Sequence, residues 1–262
     1  MDQGSILFIG TATTLIRYGS FAILTDPNFL HQHEEVHLGY GLRSKRLTQP
    51  AIELNDLPPL DLVILSHFHE DHFDRGVQQR LDKSVPIVTT PKAAHALRKR
   101  GFENAVGIMT WQSKTVIRPQ TTLTITATPG RHGPRIIANL LPEVMGSILE
   151  FKRADKTFKM YITGDTLVYD QIKEIPKRYP GIDLALLHLG GTKIMGIMVT
   201  MDGRQGVKML EIVHPKLAIP IHYNDYTVFK SPLSDFQNEV AKAEMENHVH
   251  YMNHGDEYIF EI

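Results

Sequence analysis

Short runs of β-branched and aliphatic residues recur along this chain, and each is closed by a turn residue or a polar cluster. Residues 6–9, 14–18 and 21–25 read as strands, with Gly10 and Gly19 at the turns and Asp26-Pro27 ending the third. A strand follows at 62–65, a helix at 75–81, a strand at 86–90, and a helix that Pro91 opens and that runs to residue 100. Residues 122–127 alternate as a strand, and 147–153 with 158–163 flank Ala154-Asp155-Lys156 as a hairpin. Further strands are expected at 183–187 and 217–221, with a helix between them that Asp202 caps and that runs to about residue 213. A helix at 234–246 and strands at 249–252 and 257–262 close the pattern. Segment 28–59, which holds His31, His33, His37, Tyr40 and Arg43, carries little periodicity; a segment of this kind usually covers a site or serves one. Strands joined both by hairpins and by helices predict an α/β fold, two mixed sheets with helices on their outer faces, in a single domain over residues 1–262.

Composition narrows the partners. The chain has 262 residues, 42% hydrophobic and 22% charged, with a net charge of −1, so no long-range field draws polyanions and nucleic acid is not expected. The basic run Arg98-Lys99-Arg100 before Gly101 fits a helix C-terminus instead. Without cysteine, any metal must be held by nitrogen and oxygen. The N-terminus lacks a basic and apolar leader, and no apolar stretch reaches the roughly 18 residues of a membrane span, so a cytoplasmic protein without integral membrane contact is expected. A small-molecule substrate and homo-oligomerisation are both compatible with this composition.

The chemistry concentrates where the fourth strand stops. Leu62-Val63-Ile64-Leu65 runs through Ser66 into His67, His69, Asp71 and His72, three imidazoles and a carboxylate of the types that hold zinc, manganese or iron. Other strands also end in possible ligands: Asp26, His132, Asp165 and His222. Taken singly, His132 and His222 read equally as loop histidines and Asp165 as a turn residue; taken together, each after a strand, they describe one rim.

The set resembles the metallo-β-lactamase superfamily, with its His-x-His-x-Asp-His motif at 67–72, and the resemblance runs over nearly the whole chain. It implies a four-layer αββα sandwich. Within the superfamily, Leu24-Thr25-Asp26-Pro27 and Leu57-Pro58-Pro59-Leu60-Asp61 resemble the branch of N-acyl-phosphatidylethanolamine phospholipase D and ascorbate-6-phosphate lactonase, whereas 187–192 and 199–203 depart from the phospholipase. The resemblance implies a hydrolase with two divalent ions, zinc first, with manganese and iron as alternatives. His67, His69 and His132 would hold one ion, Asp71, His72 and His222 the other, and Asp165 would bridge them; Asp26 would orient a ligand histidine from behind. An activated hydroxide shared by the pair would cleave a phosphodiester, a lactone or another ester. His69 stands where oxygen-reducing flavodiiron relatives carry Glu, which favours hydrolysis over redox chemistry. A non-catalytic metal scaffold is the alternative from another class.

Other residues keep two readings. Asp71 is also a candidate for passing a proton to the leaving group. His188 would touch substrate, support a ligand or be purely structural. Tyr223 would donate to an oxyanion or pack at the sheet end. Gly190-Gly191 would admit an anion or make a turn. Arg43, Lys45 and Arg46 read as a solvated run, with phosphate binding as the alternative. Ile194, Met195, Ile197, Met198 and Met201 would line a substrate pocket or belong to the core.

Overall fold

The computed structural model describes residues 3–39, 41–137 and 140–261; Tyr40 and Ile262, placed above in the long segment and the last strand, lie outside them. Two mixed sheets face each other. The first runs β17 (Glu257–Glu261), β1 (Gln3–Gly10), β2 (Thr13–Tyr18), β3 (Phe21–Thr25), β6 (Leu62–Ile64), β7 (Ile87–Thr89), β8 (Ala105–Gly107). The second runs β16 (Leu217–Ile221), β13 (Leu184–His188), β12 (Lys156–Ile162), β11 (Met145–Arg153), β10 (Thr121–Pro129), β9 (Ser113–Arg118).

Side-chain alternation builds the layers. Along β6, Leu62 and Ile64 enter the core between the sheets, while Val63 and then Leu65 face the opposite side. There they meet α1 (Arg75–Arg80) and α2 (Pro91–Arg98) through Phe73, Val77, Ala94 and Leu97. The inner core joins Phe8, Ile16 and Tyr18 of the first sheet to Leu123, Leu149 and Phe151 of the second, with the Tyr18 and Phe151 rings 5.3 Å apart edge to face. The second sheet's outer layer is α3 (Glu174–Arg178), α4 (Gly203–Val213) and α5 (Leu233–Lys242), which bury Ile175, Leu210, Val213, Phe236 and Val240. The expected four-layer α/β sandwich is present, with Asp202 capping α4 by accepting from the Gln205 amide at 2.9 Å.

Some expectations need correction. Residues 249–252 do not form a strand: Val249 makes one bridge to Ala218, and the chain then turns where Asp256 accepts from the Asn253 amide at 2.7 Å. Segment 28–59 is not without structure, since β4 (Glu35–His37) and β5 (Arg43–Lys45) pair as a hairpin inside it. The last helix stops at Lys242 rather than 246, just before Glu244 takes a left-handed φ of 55°.

Topology decides where the site lies. β3 and β6 are parallel, as are β12, β13 and β16, and β10 shares the direction of β12 because β11 is antiparallel to both. The C-terminal ends of these strands therefore share one rim, and the two sheets are tied there by the Met145 amide donating to the Ser66 carbonyl at 3.1 Å.

Candidate metal centre

At this rim two ligand groups form. His67, His69 and His132 make one; Asp71, His72, Asp165 and His222 make the other, and within each group one donor atom per residue lies within 4.8 Å of the rest. The groups adjoin, since the His67 and His72 rings are 4.2 Å apart. His69 is half-buried and the other six are buried, so the centre meets solvent on the His69 side.

Three of these histidines are held from behind. His132 donates Nδ1–H to the Val199 carbonyl at 3.1 Å and His222 donates Nδ1–H to that of Leu189 at 3.2 Å. His72 Nδ1 lies 3.3 Å from Asp26 Oδ2. Such partners fix the ring and the tautomer and turn the other nitrogen inward, the arrangement of metal-bound histidines. His67 Nε2 and His69 Nδ1 face each other at 3.1 Å, two basic nitrogens that a cation between them would satisfy.

The inward atoms lack hydrogen bonds and face one another only at longer ion-pair distances, His72 Nε2 lying 3.4 Å from Asp165 Oδ2 and His222 Nε2 3.6 Å from Asp71 Oδ2. His72 Nε2, His222 Nε2, Asp71 Oδ1 and Asp165 Oδ1 are buried with no hydrogen bond. Orphaned buried polar atoms are costly and uncommon. Four in one cluster, all metal-ligand types, fit a site built for divalent ions.

Electrostatics divides the two groups. Burial holds His67 well below the usual imidazole range, helped by His72 and His69 nearby, and lowers His132. His69 is lowered to about 4, again chiefly by burial. Burial therefore favours the neutral form of these three rings, the form that binds a metal. In the second group burial opposes every charge, but Asp165, Asp71 and Asp26 raise His72 well above its ordinary value. His222 and His72 likewise hold Asp165 well down against the burial that would raise it. The Asp71 carboxyl is lowered in the same way, mainly by His72.

Asp26 anchors the back of the centre. It accepts from the Ser66 amide at 2.7 Å and lies 3.2 Å from His188 Nε2 as well as beside His72. Burial alone would push its carboxyl up; His72 and the hydrogen bonds from His188 and His72 outweigh that and hold it at about 2. Its φ of 36° and the 62° of His222 are left-handed values that such residues seldom adopt, a strain typical of functional loops.

The remaining candidates fall into place. His188 is fully buried, with Nδ1 3.3 Å from Thr163 Oγ1 and Nε2 against Asp26, so it props Asp26 and has no face toward a substrate. Of the two readings of Tyr223 the contacts fit the packed aromatic: its hydroxyl donates to the Met252 carbonyl at 3.1 Å and its ring lies against Phe8. Gly190 and Gly191 make a turn at φ 100° and 56°, where a Cβ would meet the His222 carbonyl at 2.8 Å and Ser231 Cβ at 2.7 Å. The Ile194–Met201 stretch divides: Met201 is core, while Met195 at the tip of the β14 (Lys193–Ile194) and β15 (Ile197–Met198) hairpin is 95% exposed. His31 pairs with Glu53 at 3.0 Å on the surface, and His33 and His37 belong to no ligand group among the described residues. Arg43 is exposed and pairs with Glu35, but Arg46 is fully buried, which overturns its reading as a solvated cation.

Sequence reasoning missed Thr200, whose hydroxyl donates to Asp165 Oδ2 at 3.1 Å, Ser66, whose hydroxyl lies 3.0 Å from His67 Nδ1, and Asn28, whose amide reaches the metal loop. Ser66 had a signal, its place between a strand and the histidines; Thr200 had none.

Comparison with known proteins agrees with this geometry. The chain is 25% identical over 257 residues to a UPF0173 metal-dependent hydrolase of Rubrobacter xylanophilus, covering 96% of this chain and 95% of that protein. It is 26% identical over 247 residues to the UPF0173 protein YddR of Bacillus subtilis, covering 90% and 92%. Among solved structures it shares its fold with an isothiocyanate hydrolase from Delia radicum gut bacteria (TM-score 0.82, 21% identity, 98% and 100% coverage). It also shares it with Igni18, a metallo hydrolase of Ignicoccus hospitalis (TM-score 0.73, 21% identity, 99% of each chain). Residues 22–223 match the family model described as Beta-lactamase superfamily domain, and the chain, with its two sheets and clustered His and Asp ligands, therefore belongs to the metallo-β-lactamase superfamily of metal-dependent hydrolases.

Proposed function

We propose that this hydrolase is dinuclear and cleaves ester-type bonds in small molecules, with a phosphodiester as first substrate class and a lactone or carboxylic ester as second. The observation that carries the reading is the set of inward atoms without hydrogen bonds on Asp71, His72, Asp165 and His222 beside the triad of His67, His69 and His132. The triad would hold one ion, Asp71, His72 and His222 the other, and Asp165 supplies the carboxylate able to serve both, because a neutral imidazole nitrogen has a single lone pair to give. When bound, two divalent ions, zinc first, supply a hydroxide nucleophile at neutral pH and polarise the bond under attack.

The protein's own groups do the rest. Asp26 orients His72, and Thr200 donates to Asp165, which fixes the carboxylate's rotation. Asp71 Oδ1 has no protein donor and is open to the second ion; a proton passed toward a leaving group would then be carried by the carboxylate oxygen that the ion does not hold. The N-terminal resemblance to the phospholipase and lactonase branch supports an ester substrate. Exposed Ile136 and Met195, in the loop after His132 and on the hairpin before Val199, support one with an apolar part.

The test is a substrate panel on purified, zinc-loaded protein: bis-p-nitrophenyl phosphate, simple lactones, p-nitrophenyl acetate and an aryl isothiocyanate, the last because a structural neighbour hydrolyses that class. Turnover of the phosphodiester above the others is expected. Preference for lactones selects the second class, and no turnover on any ester rejects ester hydrolysis.

A further inference from the structure

Segment 28–59 crosses behind the metal loop, and one of its cations is buried there. Arg46 has no exposed surface. It donates from Nη1 to Asn28 Oδ1 at 2.5 Å and from Nε to the Thr48 carbonyl and hydroxyl, each at 3.2 Å. Tyr226 donates its hydroxyl to the same Asn28 oxygen at 3.0 Å. Because Arg has only donors, these contacts fix which end of the Asn28 amide is oxygen. Its Nδ2 must then point the other way, and it donates to the Glu70 carbonyl at 2.9 Å. Glu70 is the residue between His69 and Asp71.

The same cation reaches the opposite end of the second ligand group. The main chains of Arg46 and Tyr226 form a bridge. Thr48, which Arg46 holds, donates to Asp225, and Asp225 accepts from the Thr11 amide at 2.9 Å. The Thr11 carbonyl in turn accepts from the His222 amide at 2.7 Å. Gly10 makes room for this arrangement, since a Cβ there would lie 2.8 Å from Arg46 Nη2 and the residue sits at φ 142°.

We infer that Arg46 and Asn28 are positioning residues for the ion held by Asp71, His72, Asp165 and His222. Arg46 orients Asn28, Asn28 fixes the loop that carries Asp71, and the Thr48–Asp225–Thr11 chain fixes the loop that carries His222. The inference rests on the dinuclear reading above. Arg46 touches no ligand itself, and its burial without a carboxylate in direct contact is costly unless the network needs its fork of donors.

The test measures zinc stoichiometry by elemental analysis and affinity by competition with a chromogenic chelator, on the full chain and on Asn28→Ala, Arg46→Lys, their combination and Tyr226→Phe, with thermal melts alongside. The wild-type chain is expected to hold two ions. Asn28→Ala and Arg46→Lys should each weaken one ion by about 10–100-fold, the usual cost of losing a contact behind a metal ligand, and leave the other in place. The combined variant should lose less than the sum of the two single losses, because Arg46 acts partly through Asn28 and partly through Thr48. Tyr226→Phe, which keeps the ring, should weaken the same ion a few-fold and serves if Arg46→Lys does not fold. Lower melting temperatures with both ions held at wild-type affinity, or additive losses in the combined variant, overturn the inference. A wild-type chain that takes fewer than two ions instead refutes the dinuclear reading.

Discussion

Two buried polar regions lie side by side at the rim, and they differ in how completely they satisfy themselves. In the brace formed by Arg46, Asn28, Thr48, Asp225 and Tyr226, the side-chain polar atoms have protein partners except Arg46 Nη2. In the ligand cluster Asp71, His72, Asp165 and His222 each leave an atom without a hydrogen bond, facing only one another at ion-pair distances. The cost of burying polar groups is similar in both places, so the contrast marks purpose. A closed network holds its surroundings still; an open one of ligand types awaits something from outside.

The largest test of that contrast is Asp165→Ala. It removes the carboxylate assigned to both ions, so the protein should lose at least one ion and more than about 100-fold of its turnover, beyond what contacts behind a ligand usually cost. Elemental analysis with the substrate panel checks this, and two ions with normal turnover would refute the bridging assignment. Asp26→Asn comes next. It keeps the shape but removes the charge beside His72 and His188, and should weaken zinc by about 10–100-fold in a chelator competition. Unchanged affinity would confine Asp26 to the fold.

The brace should answer in stability. Burial would raise the Asp225 carboxyl, but the hydrogen bond and charge of His254, with Arg46 behind them, hold it below the usual carboxylate range. A carboxyl depressed in the folded state contributes stability that is complete above its unfolded value and fades as pH falls through its folded one. Asp225→Asn should therefore cost about 1–3 kcal/mol in denaturant unfolding at pH 7 through the hydrogen bonds it loses, and its gap from wild type should narrow as the pH drops below about 4. A gap that widens with acid would contradict the assignment. The smallest effect belongs to Tyr223→Phe, which loses one hydrogen bond to Met252, about 1 kcal/mol, with metal content and turnover intact. A large loss of turnover at unchanged stability would restore Tyr223 to the reaction.

What could be read from the residues alone follows from distance along the chain. His67, His69, Asp71 and His72 were legible because one strand end carries them all, and the strands that enter the core announced themselves by aliphatic runs. The edge strand β9 was invisible because five of its six residues are exposed, and β4 and β5 were too short to show a period. Arg46 was misread with Arg43 and Lys45 as solvated. Yet Arg43, Ser44, Lys45 and Arg46 alternate exposed, buried, exposed, buried, and that period of two was the missed clue. Thr200 and Asn28 act only through folded neighbours, which no local pattern encodes.

Metal stoichiometry of the purified chain decides the central claim most directly. Elemental analysis should find two divalent ions per chain, and a chelator should remove them together with turnover. One ion or none in protein supplied with excess zinc, or hydrolysis that survives complete chelation, would contradict it.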